Sequence, residues 1–507
     1  MMDSLQGLAS GFSLAFTPIN LLFGFIGAVL GTAIGVLPGL GPAATISLLL
    51  PLTYALGSPV TSIIMMAGIY YGAMYGGSTT SILLNIPGES ASVVTCIDGY
   101  KMAKQGRAGA ALGISAVGSF IAGTIGVIGL TFLAPPVAAF ALEFGPAEYV
   151  SLTIMGLMLA SLLSGKSVLK GLIMAVLGLL LATVGMDPVS GNLRYTFGTI
   201  ILMDGLDFLI LAMGIFGIGE ILMNLEENIS NELVTEKVKN IWPTIKDYAQ
   251  TKWSILRGSI IGFFVGLLPG GGAVIASMVS YAVEKKSSKN PERFGEGAIE
   301  GVAGPESSNN AAASASFIPM LTLGIPGNPA IAMIFAALMI QNVIPGPFLI
   351  KEHPDLFWGV IASMYIGNAM LLVLNLPLVG LWIKMLRVPY SILAPIVVMI
   401  CSIGVYSNKN NVMDVLMMFI FGVFGYFLRK FRFELGPLLL AFVLGRILER
   451  NLSQALLISH GKFSIFVSRP IAAALLGIVL LMILIPMSLT IYKWSRKWIK
   501  PATGTGA

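Results

Sequence analysis

Two stretches of this chain carry side chains whose types and spacing could do chemistry. Tyr71–Ser90, YGAMYGGSTTSILLNIPGES, gathers Gly76, Gly77, Ser78, Thr79, Thr80 and Ser81, then Asn85, Gly88 and Glu89. Gly301–Pro329, GVAGPESSNNAAASASFIPMLTLGIPGNP, gathers Glu306, Ser307, Ser308, Asn309 and Asn310, then Gly327. Both are poor in large side chains, and each contains a late Pro-Gly break. Gly-Gly followed by Ser-Thr-Thr-Ser reads as a break and then a helix start with hydroxyls at capping positions. Pro305-Glu306-Ser307-Ser308-Asn309-Asn310 reads the same way. Free N–H groups at a helix N-terminus attract a carboxylate, so two helix starts facing one anionic substrate are expected. The same hydroxyl, amide and carbonyl oxygens coordinate Na+. Glu89 and Glu306 adjoin the breaks as ion ligands or protonatable coupling groups, because a carboxylate inside a membrane is functional by default. Two plainer readings stand beside these. Ser and Thr in a membrane helix bond back to the preceding turn, and Glu89 could sit at the water interface.

A second pair of motifs lies upstream of each stretch. GVLPGLGP at 35–42 contains Gly39 and Gly41, and GLLPGGGA at 266–273 contains Gly270, Gly271 and Gly272. Proline removes a backbone donor and glycine permits unusual dihedrals. In hydrocarbon such a turn must have its freed groups satisfied by protein, water or ligand. Either the turn lines a cavity or it is a tight hairpin with close helix packing.

The landmarks recur in order. Pro38 and Pro87 lie 49 residues apart in the first half, and Pro269 and Pro326 lie 57 apart in the second. This is an internal repeat. Its charges reverse between halves. The loop at 54–62 is uncharged and Lys101, Lys104 and Arg107 follow the second landmark. In the other half Lys285, Lys286, Lys289 and Arg293 fall between the landmarks. If basic loops face the cytoplasm, equivalent loops lie on opposite sides and the repeats have inverted topology. Polar, broken segments at matching places of two halves point to a transporter's binding site.

The elements that must position these residues are membrane helices. The chain has 507 residues, 56% hydrophobic and 11% charged, and a mean hydropathy of +0.88. A soluble domain carries roughly 25% charged residues, so this chain cannot cover a water-facing surface. Continuous apolar runs exclude the alternating strands of a β-barrel. A spanning helix needs about 20 residues, and apolar segments from 19–37 to 470–492 predict an all-α polytopic protein with about a dozen transmembrane helices plus broken or re-entrant ones. Separate helices are expected at 109–134 and 136–162. The polar interval 226–254 divides a first membrane repeat, 1–225, from a second with C-terminal helices, 255–507. Trp242 and Trp253 make it an interfacial linker. The net charge of +6 sits in loops and at Lys493, Arg496, Lys497 and Lys500, which suits a cytoplasmic C-terminus. No basic face for nucleic acid is present. MMDSLQGLASGF lacks a basic region, so a cleaved signal peptide is not expected. Cys96 and Cys401 read as unpaired thiols.

Enzyme signals are weak. His353 and His460 have no HExxH spacing, the cysteines make no metal pattern, and neither a nucleophile elbow nor a phosphate-binding GxxxxGK[ST] occurs. No catalytic residue, resident metal or cofactor is expected, and energy must come from an ion gradient or a partner. Asp204 and Asp207 interrupt the apolar run Thr196–Gly217 and read either as a proton relay or, since they begin close to Arg194, as a structural ion pair, which is the preferred reading.

GVLPGLGPAATISLLLPLTY (35–54), YYGAMYGGSTTSILLNIPGE (70–89) and GPESSNNAAASASFIPMLTLGIPG (304–327) together resemble the large permease subunit of tripartite tricarboxylate transporters, the TctA type. The similarity extends through GNLRYTFG (191–198) and LLPGGG (267–272). The resemblance implies a multi-pass protein of the bacterial inner membrane. It implies a small membrane subunit and a periplasmic solute-binding protein as partners, an organic carboxylate as substrate, and a Na+ or proton gradient as driving force. Competing readings are a stand-alone ion-coupled carrier and, from another class, an intramembrane enzyme or assembly scaffold.

Overall fold

The structure, a computed structural model, describes residues 2–37, 41–54, 56–163, 167–187, 190–227, 238, 240–270, 272–386 and 390–499. Gly39 and Gly271 lie outside the described residues, as do Pro38, Lys500 and, within the polar interval, 228–237 and 239. The protein is built from helices. Its described strands are one two-residue pair, Gly185–Met186 against Leu193–Arg194.

Among the described residues, seven helices are long and apolar enough to cross a membrane, including Pro18–Gly35, Pro146–Leu163, Pro354–Asn375 and Val412–Lys430. Four shorter apolar helices accompany them, including Pro42–Thr53 and Pro329–Ile340. Large apolar side chains such as Phe25, Ile128, Phe132, Phe419 and Ile420 point outwards. Ser, Thr, Asn and Glu side chains are buried. Polar side chains buried within an apolar core under an apolar exterior suit a chain dissolved in lipid, where the outside is as apolar as any core.

The two expected helices at 109–134 and 136–162 divide elsewhere. One helix runs Ala108–Ala141 straight through Pro135 and Pro136, and the next begins at Pro146. A proline is tolerated in a membrane helix where neighbours satisfy the carbonyl it frees. The polar interval also ends inside a helix. Thr244 and Asp247 form a capping box that starts Ile245–Gly266, which continues without a break past residue 254.

Glycine stripes set the close packing. Gly27, Gly31 and Gly35 lie against the backbone of Met65, Ile69 and Ala73 on the helix Pro59–Leu84. Gly258, Gly262 and Gly266 lie against the backbone of Gly304, Ser308 and Ala312 on Glu300–Ala315. A side chain at any of these glycines would hold the helices apart, which is the logic of small residues every fourth position. Met65, Ile69 and Ala73 precede their counterparts by 239 residues each. The same interval separates Asn85 (φ 60°) from Gly324 (φ 69°), the left-handed residues that end Pro59–Leu84 and Phe317–Leu323. One long helix in the first half thus matches two in the second, Glu300–Ala315 and Phe317–Leu323, separated at Ser316.

Candidate functional site

The helices Pro59–Leu84 and Glu300–Ala315 meet, with Ala108–Ala141 packed beside the latter. Their small residues let them approach, and their polar residues must then find partners out of reach of water. Neither polar run starts a helix, contrary to the expectation from sequence. Gly76–Ser81 lies well inside Pro59–Leu84, and Glu300–Ala315 begins five residues before Pro305. Proline fits the first turn of a helix, and here a further turn precedes it. The site is therefore made by side chains on helix faces rather than by exposed N–H groups.

Glu306 is its centre. The residue is fully buried, and Ser78 Oγ donates to its carboxylate at 2.5 Å. The Thr95 hydroxyl donates to the other carboxylate oxygen, and Ser115 lies nearby. Glu89 is 6% exposed, which sets aside a place at the water interface. Its side chain accepts the Ala91 N–H at 2.6 Å, capping the short turn Ser90–Val93. Asn309 Nδ2 donates to its second oxygen at 2.9 Å. Asn310 Nδ2 donates to Ser119 Oγ at 2.7 Å and to the Glu306 carbonyl at 3.1 Å. The carbonyl oxygens of Asn309 and Asn310 are buried with no partner, as are the hydroxyls of Ser307 and Ser308.

The four consecutive residues 307–310 cannot face one point. At 100° per residue, Asn309 and Asn310 share a face with Glu306 (i, i+3, i+4). Ser307 turns towards Gly118, and Ser308 sits where the helix packs on Gly262.

Other candidates take part in helix packing, helix bonding or burial. Thr80 donates to the Val36 carbonyl at 2.7 Å. Ser81 bonds back to the Gly77 carbonyl at 2.9 Å and reaches Ser92. Thr79 is buried in the same run. Gly76 packs on Thr32 and Val36, and a Cβ on Gly88 would fall on Gly77. Asn85 is an exposed helix cap rather than a lining residue. In the second half the Gly327 carbonyl accepts the Gly270 N–H at 2.6 Å, closing the turn ahead of the helix that begins at Gly272. Gly41 stands ahead of the helix Pro42–Tyr54 with nothing where its Cβ would be, and its N–H reaches Glu220. Arg194 pairs with Glu449 and Asp187 rather than with Asp204 or Asp207, and Asp207 pairs with Lys409.

Sequence reasoning missed Thr95, Ser115, Ser119, Tyr70 and Asn328. Ser115 and Ser119, four apart in an apolar run, were a readable signal. So was Asn328, which follows its Pro-Gly as Glu89 follows its own. Asn328 caps the helix Pro329–Ile340, and its Nδ2 donates to Tyr70 at 3.0 Å. Tyr70 and Asn309 are again 239 positions apart, as are Glu89 and Asn328. Each half therefore sends a capping residue to the other half's helix, at matching positions.

With this geometry in view, the comparisons with known proteins are specific. The family model of the tripartite tricarboxylate transporter TctA family matches residues 21–440. The chain belongs to that family. It is a component of a tricarboxylate transporter, a multi-pass membrane protein and not an enzyme. An uncharacterized 52.8 kDa protein of Agrobacterium vitis, from the TAR-I ttuC' 3' region, is 51% identical over 487 residues, covering 96% of this chain and 97% of its own. A second Agrobacterium vitis protein, from the TAR-II ttuC' 3' region, is 55% identical over 226 residues, 45% of this chain and 93% of its own. No solved structure matches the chain.

Proposed function

We propose that the chain is the permease subunit of a binding-protein-dependent system that moves organic carboxylates into the cell across a bacterial inner membrane. A periplasmic solute-binding protein delivers the carboxylate, a small membrane subunit accompanies the permease, and a Na+ or proton gradient drives the cycle. The two halves are inverted repeats that rock about their crossing to open the site to each side in turn.

The observation that carries this reading is the exchange of contacts between halves. Glu89 of the first half meets Asn309 of the second, and Asn328 of the second meets Tyr70 of the first. Paired contacts of this kind, on helices packed through glycine, can be remade by a small rotation of one half against the other. Buried oxygens without partners lie beside them. Leaving a polar group unpaired in an apolar environment costs on the order of 2–7 kcal/mol, so such groups are retained where a ligand uses them. In this reading Gly77 and Gly88 permit the approach of backbone to backbone, while Ser78, Glu306 and Asn309 are the working groups.

The test is uptake of a radiolabelled carboxylate panel into membrane vesicles, with and without the cognate binding protein, under separate Na+ and proton gradients. Uptake requiring both the binding protein and one gradient is the expected result. Asn309→Ala should abolish it while the protein still inserts. Full uptake by this chain alone in proteoliposomes would establish the stand-alone carrier instead.

A further inference from the structure

The polar centre is asymmetric in a way that assigns it a ligand. Two carboxylates, Glu89 and Glu306, are buried there, and among the described residues no Lys, Arg or His pairs with either. The described ion pairs, such as Arg257–Glu284, Arg194–Glu449 and Arg429–Glu220, involve other residues. Every group given to the two carboxylates is neutral, whether hydroxyl, amide or backbone N–H. Hydrogen bonds satisfy the lone pairs, and the charge itself is left to be neutralised by a proton or by a bound cation.

The unpartnered atoms point the same way. Asn309 and Asn310 have committed amide N–H groups to Glu89, to Ser119 and to the Glu306 carbonyl, and their free atoms are carbonyl oxygens. Their orientation follows from chemistry. Turning Asn309 over would set its oxygen against the Glu89 carboxylate, and turning Asn310 over would set its oxygen against the Glu306 carbonyl. Both side chains are 1% exposed. A carbonyl oxygen accepts a donor or a cation and repels a carboxylate. Glu306, Asn309 and Asn310 lie together on one helix face. Such a set of hard oxygens, with no imidazole or thiolate contributing, suits a hard cation.

We infer that the Glu89–Asn309 contact, with the Glu306 and Asn310 oxygens beside it, is a site for an alkali cation, and that the substrate carboxylate binds elsewhere. The matching contact in the other half, Asn328 with Tyr70, has no carboxylate and is no cation site. This rests on the ion-coupled reading above and names the coupling ion as an alkali metal rather than a proton.

The test is direct binding of 22Na+ to the full-length chain purified in detergent, with no carboxylate, binding protein or gradient present. Potassium, lithium and choline chlorides serve as competitors. Saturable binding displaced by an alkali cation and not by choline is expected. At least a tenfold loss of affinity is expected in Asn309→Leu and Glu89→Gln. Should those variants fail to fold, the unfolding midpoint of the unmodified protein gives the second readout. It should rise with Na+ at fixed ionic strength and not with choline. Absence of saturable binding overturns the inference, as does unchanged binding in Asn309→Leu or a midpoint that responds to protons alone. Ion-driven uptake with no binding here would leave the transport reading standing and move its cation elsewhere.

Discussion

Glu89 and Asn328 hold the same place in the two halves of this molecule. Each follows a Pro-Gly, each caps the next helical turn, and each reaches the opposite half's crossing helix. They differ chemically by a carboxylate in place of an amide and by one methylene, and their surroundings differ with them. Glu89 is buried beside Asn309 and a second carboxylate, whereas Asn328 is half-buried and meets a tyrosine hydroxyl. The backbone positions of the two contacts correspond while their side chains differ. The glycine stripes leave no room for a side chain between the packed helices. The contacts between side chains are not so constrained, and that is where a transporter can give two ligands separate places.

Substitutions in the two halves report how far they correspond. After Asn309→Ala, the largest effect is expected at Glu306, which has no carboxylate at the matching position of the other half. Glu306→Gln keeps the shape and removes the charge, and uptake should fall about 100-fold or more, equivalent to roughly 3 kcal/mol, with normal amounts of protein in the membrane. Normal uptake would remove Glu306 from the working groups. Next come the paired glycines. Gly31→Ala and Gly262→Ala each force a methyl group onto a backbone carbonyl of the packed helix. Each should cost on the order of 1–3 kcal/mol, read as matching falls in the unfolding midpoint in detergent. Unequal falls would mean the halves are not packed equivalently. A smaller effect belongs to Tyr70→Phe, which removes the acceptor for Asn328. The loss should be about 1 kcal/mol with uptake reduced only a few-fold, well short of Asn309→Ala at the matching position. The smallest is at the helix caps. Asn85 and Gly324 share a left-handed backbone, so Asn85→Gly should lie within about 0.5 kcal/mol of the parent. Gly324→Ala should lose roughly 1–2 kcal/mol, measured by the same melting experiment.

Much of this was legible in the sequence. Composition and run length are summed properties, so a hydrophobic chain with long apolar segments could only be a helical membrane protein. The recurrence of LPG turns and IPG breaks marked where the chain is interrupted, because proline and glycine act on their own backbone whatever surrounds them. Glu89, Glu306 and Asn309 stood out because polar groups in hydrocarbon are expensive. Tertiary structure decided the rest. Whether Pro305 starts a helix depends on what precedes and packs against it, and Glu300–Ala315 is stabilised by its glycine-mediated contact with Ile245–Gly266. Hydroxyls at Ser78, Thr80 and Ser81 look alike in sequence, yet one crosses to Glu306, one bonds a neighbouring helix and one bonds its own. Their roles follow from which way each face turns once the helices have docked, and docking involves residues more than two hundred positions apart. A hydrogen bond such as Asn309–Glu89 is a property of two distant segments at once, so no local pattern encodes it.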